Sequence, residues 1–307
     1  MLRKNYLFKD ISTEWVEHAR ISVKPATYST YRTLLLKHLM PVFGGREIES
    51  ITVPEFDALT SEMLYEKELS AATLRLVVTV MREILFYAQA NGCSVIDPRM
   101  LKRPQVEDPG VRVLSQDERE RLIACCLDNT DGAKLGVILS LYMGLRIGEL
   151  CALRWSKIDT ENMTMKITGS MQRIANPSAD GGPRTVVVTG SPKSSASHRC
   201  IPIPECLREL MIAMRQAPET YVLSGTTHRI EPRFYRNMYK AILLEAGIKP
   251  VNFHTLRHTF ATDCVGLGFD PKTLSEILGH SSVNITFNIY VHPSMDNMKR
   301  CMGKLEL

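Results

Sequence analysis

The chain has 307 residues, 44% apolar and 23% charged, a composition that excludes collagenous and disordered chains, and a length that calls for two hydrophobic cores rather than one. Its formal net charge of +5 leans towards a polyanionic partner and is unevenly spread: the first 108 residues carry 14 Lys and Arg against 14 Asp and Glu, the rest 24 against 19, so all the excess positive charge lies in the second part. The eight cysteines form no CxxC pair and read as reduced thiols of a cytoplasmic protein, while the early charges of MLRKNYLFKD and the absence of a run near the roughly 18 apolar residues of a membrane span argue against export or membrane insertion.

Residues 8–20 place Ile11, Trp15 and Val16 at helical spacing, and after Pro25 a second segment does the same with Tyr28, Tyr31, Leu35 and Leu39 before the break at Gly44-Gly45. Thr52-Val-Pro-Glu55 is a capping-box sequence with proline in the first turn, predicting a helix from 53 to about 67. Ser70 caps a fourth helix, in which Leu74, Val77, Met81, Leu85 and Ala88 share one stripe and Asn91-Gly92 supplies the stop. Four short-looped helices over residues 1–98 predict a small bundle.

Periodicity then disappears. Pro98, Pro104 and Pro109, with the basic pair Lys102-Arg103 among them, mark residues 99–111 as an interdomain linker. The second domain, 112–307, opens with the capping box Ser115-Gln-Asp-Glu118 and an apolar helix over about 133–143. Thr185-Val-Val-Val-Thr189 and Arg199-Cys-Ile-Pro-Ile203 read as the two strands of a hairpin with Lys193 in its loop. Helical patterns return over 204–216, 231–246, 255–266, 271–279 and about 283–291. The expected fold is mainly α with a small β-hairpin: an N-terminal four-helix domain and an α+β second domain.

Four separated motifs carry a family resemblance. Gly144-Leu-Arg146-Ile-Gly-Glu149-Leu150 resembles the first arginine motif of tyrosine recombinases of the phage integrase type, and His254-Thr-Leu-Arg257-His258-Thr259 resembles their His-x-x-Arg motif. Leu278-Gly-His280 is similar to their third histidine box, with Tyr290 ten residues later at the position of the family's nucleophile. The resemblance implies an N-terminal core-binding domain, a catalytic domain, and cleavage and rejoining of double-stranded DNA through a 3′-phosphotyrosine. It implies a tetramer on DNA, with accessory DNA-bending proteins as further candidate partners, and neither metal nor cofactor.

The residue types fit that chemistry. Displacement at a phosphodiester gathers negative charge on nonbridging oxygens, and arginine offers a permanent charge in a bidentate fork. Arg146 and Arg257 are the expected clamp, with Glu149 orienting Arg146, although Arg-x-x-Glu is also an ordinary helical ion-pair spacing. His254, Arg257 and His258 fall at i, i+3 and i+4, predicting a polar face open to a ligand, with Leu256 and Phe260 opposite. The phenol of Tyr290 must lose a proton with an ordinary pKa of about 10, so cations and a base are needed nearby; His254 suits the proton and His280 the phosphate, unless either is a structural histidine. The resemblance implies that Lys193 protonates the leaving 5′ oxygen; it is the one lysine between Lys166 and Lys240, yet a solvated loop lysine reads identically. The histidines lack accompanying carboxylates at metal-ligand spacing, and no His-Glu-x-x-His occurs.

Arg233, Arg236 and Lys240 form a basic stripe at i, i+3 and i+7, compatible with a helix laid on DNA or with a solvated face. Arg75, Arg82, Lys102 and Arg103 are further candidate phosphate contacts. Past Pro293, Met295, Met298, Met302 and Leu305 form an apolar stripe from about residue 294, which docks on its own domain or, as the resemblance implies, on a neighbouring protomer. Two alternatives stay open: a type IB topoisomerase, which shares the chemistry but relaxes supercoils, and a non-catalytic DNA-binding regulator on the same fold. Which DNA site is used, and whether for integration, excision, inversion or dimer resolution, is not written in the sequence.

Overall fold

The computed structural model describes residues 6–105, 110, 112–176, 183–190, 198–290, 299 and 302–303, with the side chains of 288–290 left out. It is mainly helical and divides into two compact units, 1–109 with 174–186 and 110–173 with 187–307. Lys193 and most of the apolar tail, including Met295, Met298 and Leu305, lie outside the described residues; Met302 is described and exposed.

The first unit contains α1 (Phe8–Ser22), α2 (Pro25–Leu34), α3 (Met40–Phe43), α4 (Val53–Tyr65) and α5 (Ala71–Ala90). A π-helical stretch, Leu35–Leu39, joins α2 to α3 and passes the Met40 N–H to the Leu35 carbonyl. The widened turn falls just before Pro41, which has no N–H to continue the regular ladder. The capping boxes form as expected: the Thr52 N–H donates to Glu55 Oε2 at 2.9 Å and the Ser115 N–H to Glu118 Oε2 at 2.9 Å. Leu74, Val77, Met81, Leu85 and Ala88 of α5 are all buried, packed with Ile11, Trp15, Leu35, Leu39, Phe43, Phe56 and Leu59 in one core.

The second unit contains α6 (Gln116–Leu127), α7 (Gly132–Met143), α8 (Ile147–Ala152), α9 (Arg208–Ala213), α10 (Pro232–Glu245), α11 (His254–Gly266), α12 (Pro271–Leu278) and α13 (Val283–Tyr290). Strands β1 (Ile158–Asp159), β2 (Thr164–Ile167) and β5 (Arg199–Pro202) form a three-stranded sheet in the order β1-β2-β5, and β3 (Ser170–Ala175) pairs with β4 (Thr185–Gly190).

This pairing corrects the expected hairpin: the strands flanking Lys193 do not pair with each other among the described residues, since β4 joins β3 and β5 joins β2. Burial explains the choice. In the β2–β5 register Met165 faces Ile201, both almost wholly buried, with Ile167 beside them, so β5 gains a core by pairing with β2. The residues of β4 are half-buried or exposed, so β4 has no comparable apolar face to offer β5.

Candidate functional site

The site is assembled by two helix ends. Helix α7 stops at Gly144 (φ +65°) and α12 at Gly279 (φ +65°), both in the left-handed conformation that glycine tolerates best. The carbonyls near such ends carry the negative pole of the helix, and here they grip guanidinium groups. Arg257, on α11, donates from Nη1 to Gly144 O at 2.8 Å and from Nη2 to Leu278 O at 2.9 Å. Arg146, at the N-cap position of α8, donates from Nη2 to Gly279 O at 3.0 Å. Consecutive carbonyls, Leu278 and Gly279, therefore hold the two arginines side by side, immediately before His280.

Neither glycine has room for a side chain. A Cβ at 144 would stand 2.6 Å from Phe260 Cδ1, and one at 279 would stand 2.8 Å from Arg199 Nη1. The Gly-Leu-Arg and Leu-Gly-His motifs thus owe their glycines to the same need, a helix stop with neighbours pressed against it.

Glu149 lies beneath Arg146 and is only 2% exposed. Its Oε1 accepts from Arg146 Nη1 at 2.8 Å and its Oε2 from the Arg146 N–H at 3.0 Å, so it fixes both ends of that residue. Arg199, at the start of β5 and 6% exposed, binds the same carboxylate with both Nη atoms, each at 3.0 Å, and donates from Nε to Ile277 O at 2.6 Å. Burial alone would raise the Glu149 carboxyl; the hydrogen bond and charge of Arg199, then the charge of Arg146, outweigh it and hold the group below the usual carboxylate range.

The polar face expected on α11 is only partly open. His254 is exposed and His258 half-buried, their rings meeting edge to face with centroids 4.5 Å apart, but Arg257 is 1% exposed. Its burial follows from its two carbonyl partners, which lie at helix ends inside the unit. Leu256 is fully buried and Phe260 half-buried, as the apolar side of α11 requires.

His254 and His280 are kept neutral near pH 7. His254 stays in reach of solvent, yet the protein mass around its ring, followed by the charges of His258, Arg257 and Arg146, lowers it to about 4. Burial, then Arg257, Arg146, His254 and Arg199, lowers His280 to about 3. His280 Nδ1 lies 2.8 Å from the Thr286 hydroxyl, and Thr286 is wholly buried on α13, one turn before Tyr290. Tyr290 ends α13; its side chain is outside the described residues.

The structure therefore brings Arg146, Glu149, Arg257 and His280 into one cluster with His254 and His258 beside it. Sequence reasoning missed Arg199 and Thr286. Arg199 looks like one more charge on an alternating strand and Thr286 like a polar position in a short apolar helix, so only their neighbours single them out.

The candidate DNA-contact residues divide into two groups. Arg233, Arg236 and Lys240 are exposed on α10, whose opposite face buries Tyr235, Tyr239, Ile242 and Leu243, and Lys102 and Arg103 are exposed beyond α5. Arg75, exposed, and Arg82, half-buried, also bond backbone: Arg75 Nε donates to Pro104 O at 2.9 Å, and Arg82 donates from Nε to Leu101 O at 3.1 Å and from Nη2 to Arg99 O at 3.3 Å. Among the described residues, no helix is long and apolar enough to cross a membrane.

Residues 112–297 match the sequence model of the phage integrase family and residues 7–64 that of the phage integrase N-terminal SAM-like domain. The chain belongs to the phage integrase family. A tyrosine recombinase XerC-like protein of Caldanaerobacter subterraneus is 26% identical over 312 residues, covering 92% of this chain and 78% of the relative. The ICEBs1 integrase of Bacillus subtilis is 22% identical over 318 residues, covering 97% and 82%. Among solved structures, a Tn1549 transposon integrase in complex with transposon right end DNA has a TM-score of 0.81 at 20% identity, covering 97% of this chain and 99% of that one. A lambda integrase tetramer bound to a Holliday junction has a TM-score of 0.68 at 16% identity, covering 94% and 78%. At these identities the two structures speak to the fold alone.

Proposed function

We propose that this protein is a site-specific DNA recombinase that cleaves and rejoins double-stranded DNA through a 3′-phosphotyrosine on Tyr290, acting in the cytoplasm as a tetramer on its DNA sites. The observation that carries it is the pairing of Arg146 and Arg257 on the consecutive carbonyls of Leu278 and Gly279, next to His280 and one hydrogen bond from the helix that ends in Tyr290. The relatives named as integrases and tyrosine recombinases, and the fold shared with integrases solved on DNA, support the substrate and the assembly.

In this scheme Arg146, whose side chain is 34% exposed, meets the scissile phosphate directly, while Arg257 adds positive potential from beneath the surface. Both stabilise charge that grows on the nonbridging oxygens as Tyr290 attacks, a role whose loss at comparable sites costs about 3–4 kcal/mol of barrier. His254 is neutral at pH 7 and able to accept the phenolic proton, and His280 donates to a phosphate oxygen with its ring fixed by Thr286. Lys193 protonates the departing 5′ oxygen. The phosphodiester energy stays in the phosphotyrosine, and attack by a second 5′ hydroxyl restores the tyrosine.

A nicked suicide substrate tests this scheme, because loss of the short 5′ fragment strands the covalent intermediate. Wild-type protein should accumulate a DNA adduct, and Tyr290→Phe should bind the same DNA and form none. An adduct that persists in Tyr290→Phe overturns the assignment of the nucleophile. Relaxation of supercoils without exchange between two sites would point to the topoisomerase alternative.

A further inference from the structure

The buried carboxylate of Glu149 poses an electrostatic problem for the proposed reaction. A phosphate-binding arginine works through its positive charge, yet Arg146 has a carboxylate oxygen 2.8 Å away, in a place that water hardly reaches. Left as a simple pair, Glu149 would cancel Arg146 and repel the incoming anion.

Arg199 resolves the conflict. It faces Glu149 fork to fork, Nη1 to Oε1 and Nη2 to Oε2, whereas Arg146 gives that carboxylate one Nη1 bond and its backbone N–H. The bond from its Nε to Ile277 O ties it to the last turn of α12, beside the carbonyls that hold Arg146 and Arg257. At 6% exposure it is too deep to meet DNA itself. Three arginines and one carboxylate leave two positive charges for the phosphate; with Arg199 removed, one would remain.

Building on the recombinase function proposed above, we infer that Arg199 is a positioning residue of the reaction: it neutralises Glu149, so that the carboxylate can orient Arg146 without discharging it.

The test compares Arg199→Met, Arg199→Lys and the double variant Arg199→Met with Glu149→Gln, by adduct formation on the nicked substrate, by binding of inorganic phosphate, and by thermal melting to confirm folding. Arg199→Met should lose roughly tenfold or more in adduct formation, the lower end of what removing the outer hydrogen-bond partners of metal ligands costs, and bind phosphate more weakly. Arg199→Lys, which keeps the charge without the fork, should retain most of both. The double variant, with the uncompensated carboxylate gone, should recover much of the loss. A purely structural Arg199 predicts the reverse, a double variant no better than Arg199→Met and a lysine variant equally impaired, and that pattern overturns the inference. If wild-type protein forms no adduct, the recombinase scheme falls, and the phosphate series still decides the role of Arg199.

Discussion

Gly279 is where the local and tertiary demands on the site meet, and Gly279→Ala is its most direct probe. The left-handed conformation (φ +65°) costs an alanine roughly 1–2 kcal/mol relative to glycine. The new Cβ would also lie 2.8 Å from Arg199 Nη1 and 3.2 Å from its Cδ and Cζ. A guanidinium at the end of a loose side chain would swing aside at little cost. This one is held by both Glu149 oxygens and by Ile277 O, so moving it sacrifices hydrogen bonds to a charged group, about 1.5–3 kcal/mol. The total, about 2.5–5 kcal/mol, corresponds to a fall in Tm of roughly 5–20 °C for a unit of this size. Gly268→Ala is the matched control: φ is +84° and a Cβ there meets nothing within 4 Å, so only the conformational cost applies. Calorimetric melting of the two variants should differ by about 1.5–3 kcal/mol. Adduct formation should fall in Gly279→Ala, whose carbonyl orients Arg146, and hold in Gly268→Ala. Equal destabilisation with equal adduct formation would refute the claim that Arg199 is pinned against this helix end.

Thr286→Val should slow adduct formation more than Thr286→Ser, because only the hydroxyl fixes the tautomer at His280 Nδ1; imidazole nitrogen shifts that are identical in the two variants would remove that role. Since His254 and His280 are held at about 4 and about 3 in the folded protein, below the ordinary histidine value near 6.5, the unfolded chain binds more protons between those limits. Stability should therefore be fully present above pH 7 and decline as pH falls through 6 toward 4, and His280→Gln should flatten that decline in melting curves. Arg82→Met should destabilise the first unit by about 1–3 kcal/mol by stripping the Leu101 carbonyl of its donor. Lys102→Ala and Arg103→Ala should spare stability and each reduce the salt slope of DNA binding by about one. An Arg82→Met variant of unchanged Tm, or lysine and arginine variants of unchanged slope, would reverse those roles.

Much of the fold is local and so was legible in the sequence. Capping boxes at Thr52 and Ser115, the apolar stripe of α5 and its Asn91-Gly92 stop depend on neighbours within a turn or two, and each is where the pattern places it. The residues gathered at the site were legible for a different reason: Gly-Leu-Arg, His-x-x-Arg and Leu-Gly-His are short enough to be recognised whole. What the chain does not write locally is partnership across long separations. Strand β5 pairs with β2 because Ile201 needs Met165, a choice made by burial and invisible to either strand alone. The alternation of β5 says nothing of Glu149, 50 residues earlier, which turns Arg199 from a strand charge into a partner of the site. The helical wheel of α11 opens Arg257 to solvent, whereas the ends of α7 and α12 close over it and spend its hydrogen bonds on two carbonyls. Sequence determined which side chains carry the charge; only the tertiary structure decided which of those charges are cancelled, which are buried and which remain to meet an anion, because electrostatic free energy depends on distance and solvent exposure rather than on order along the chain.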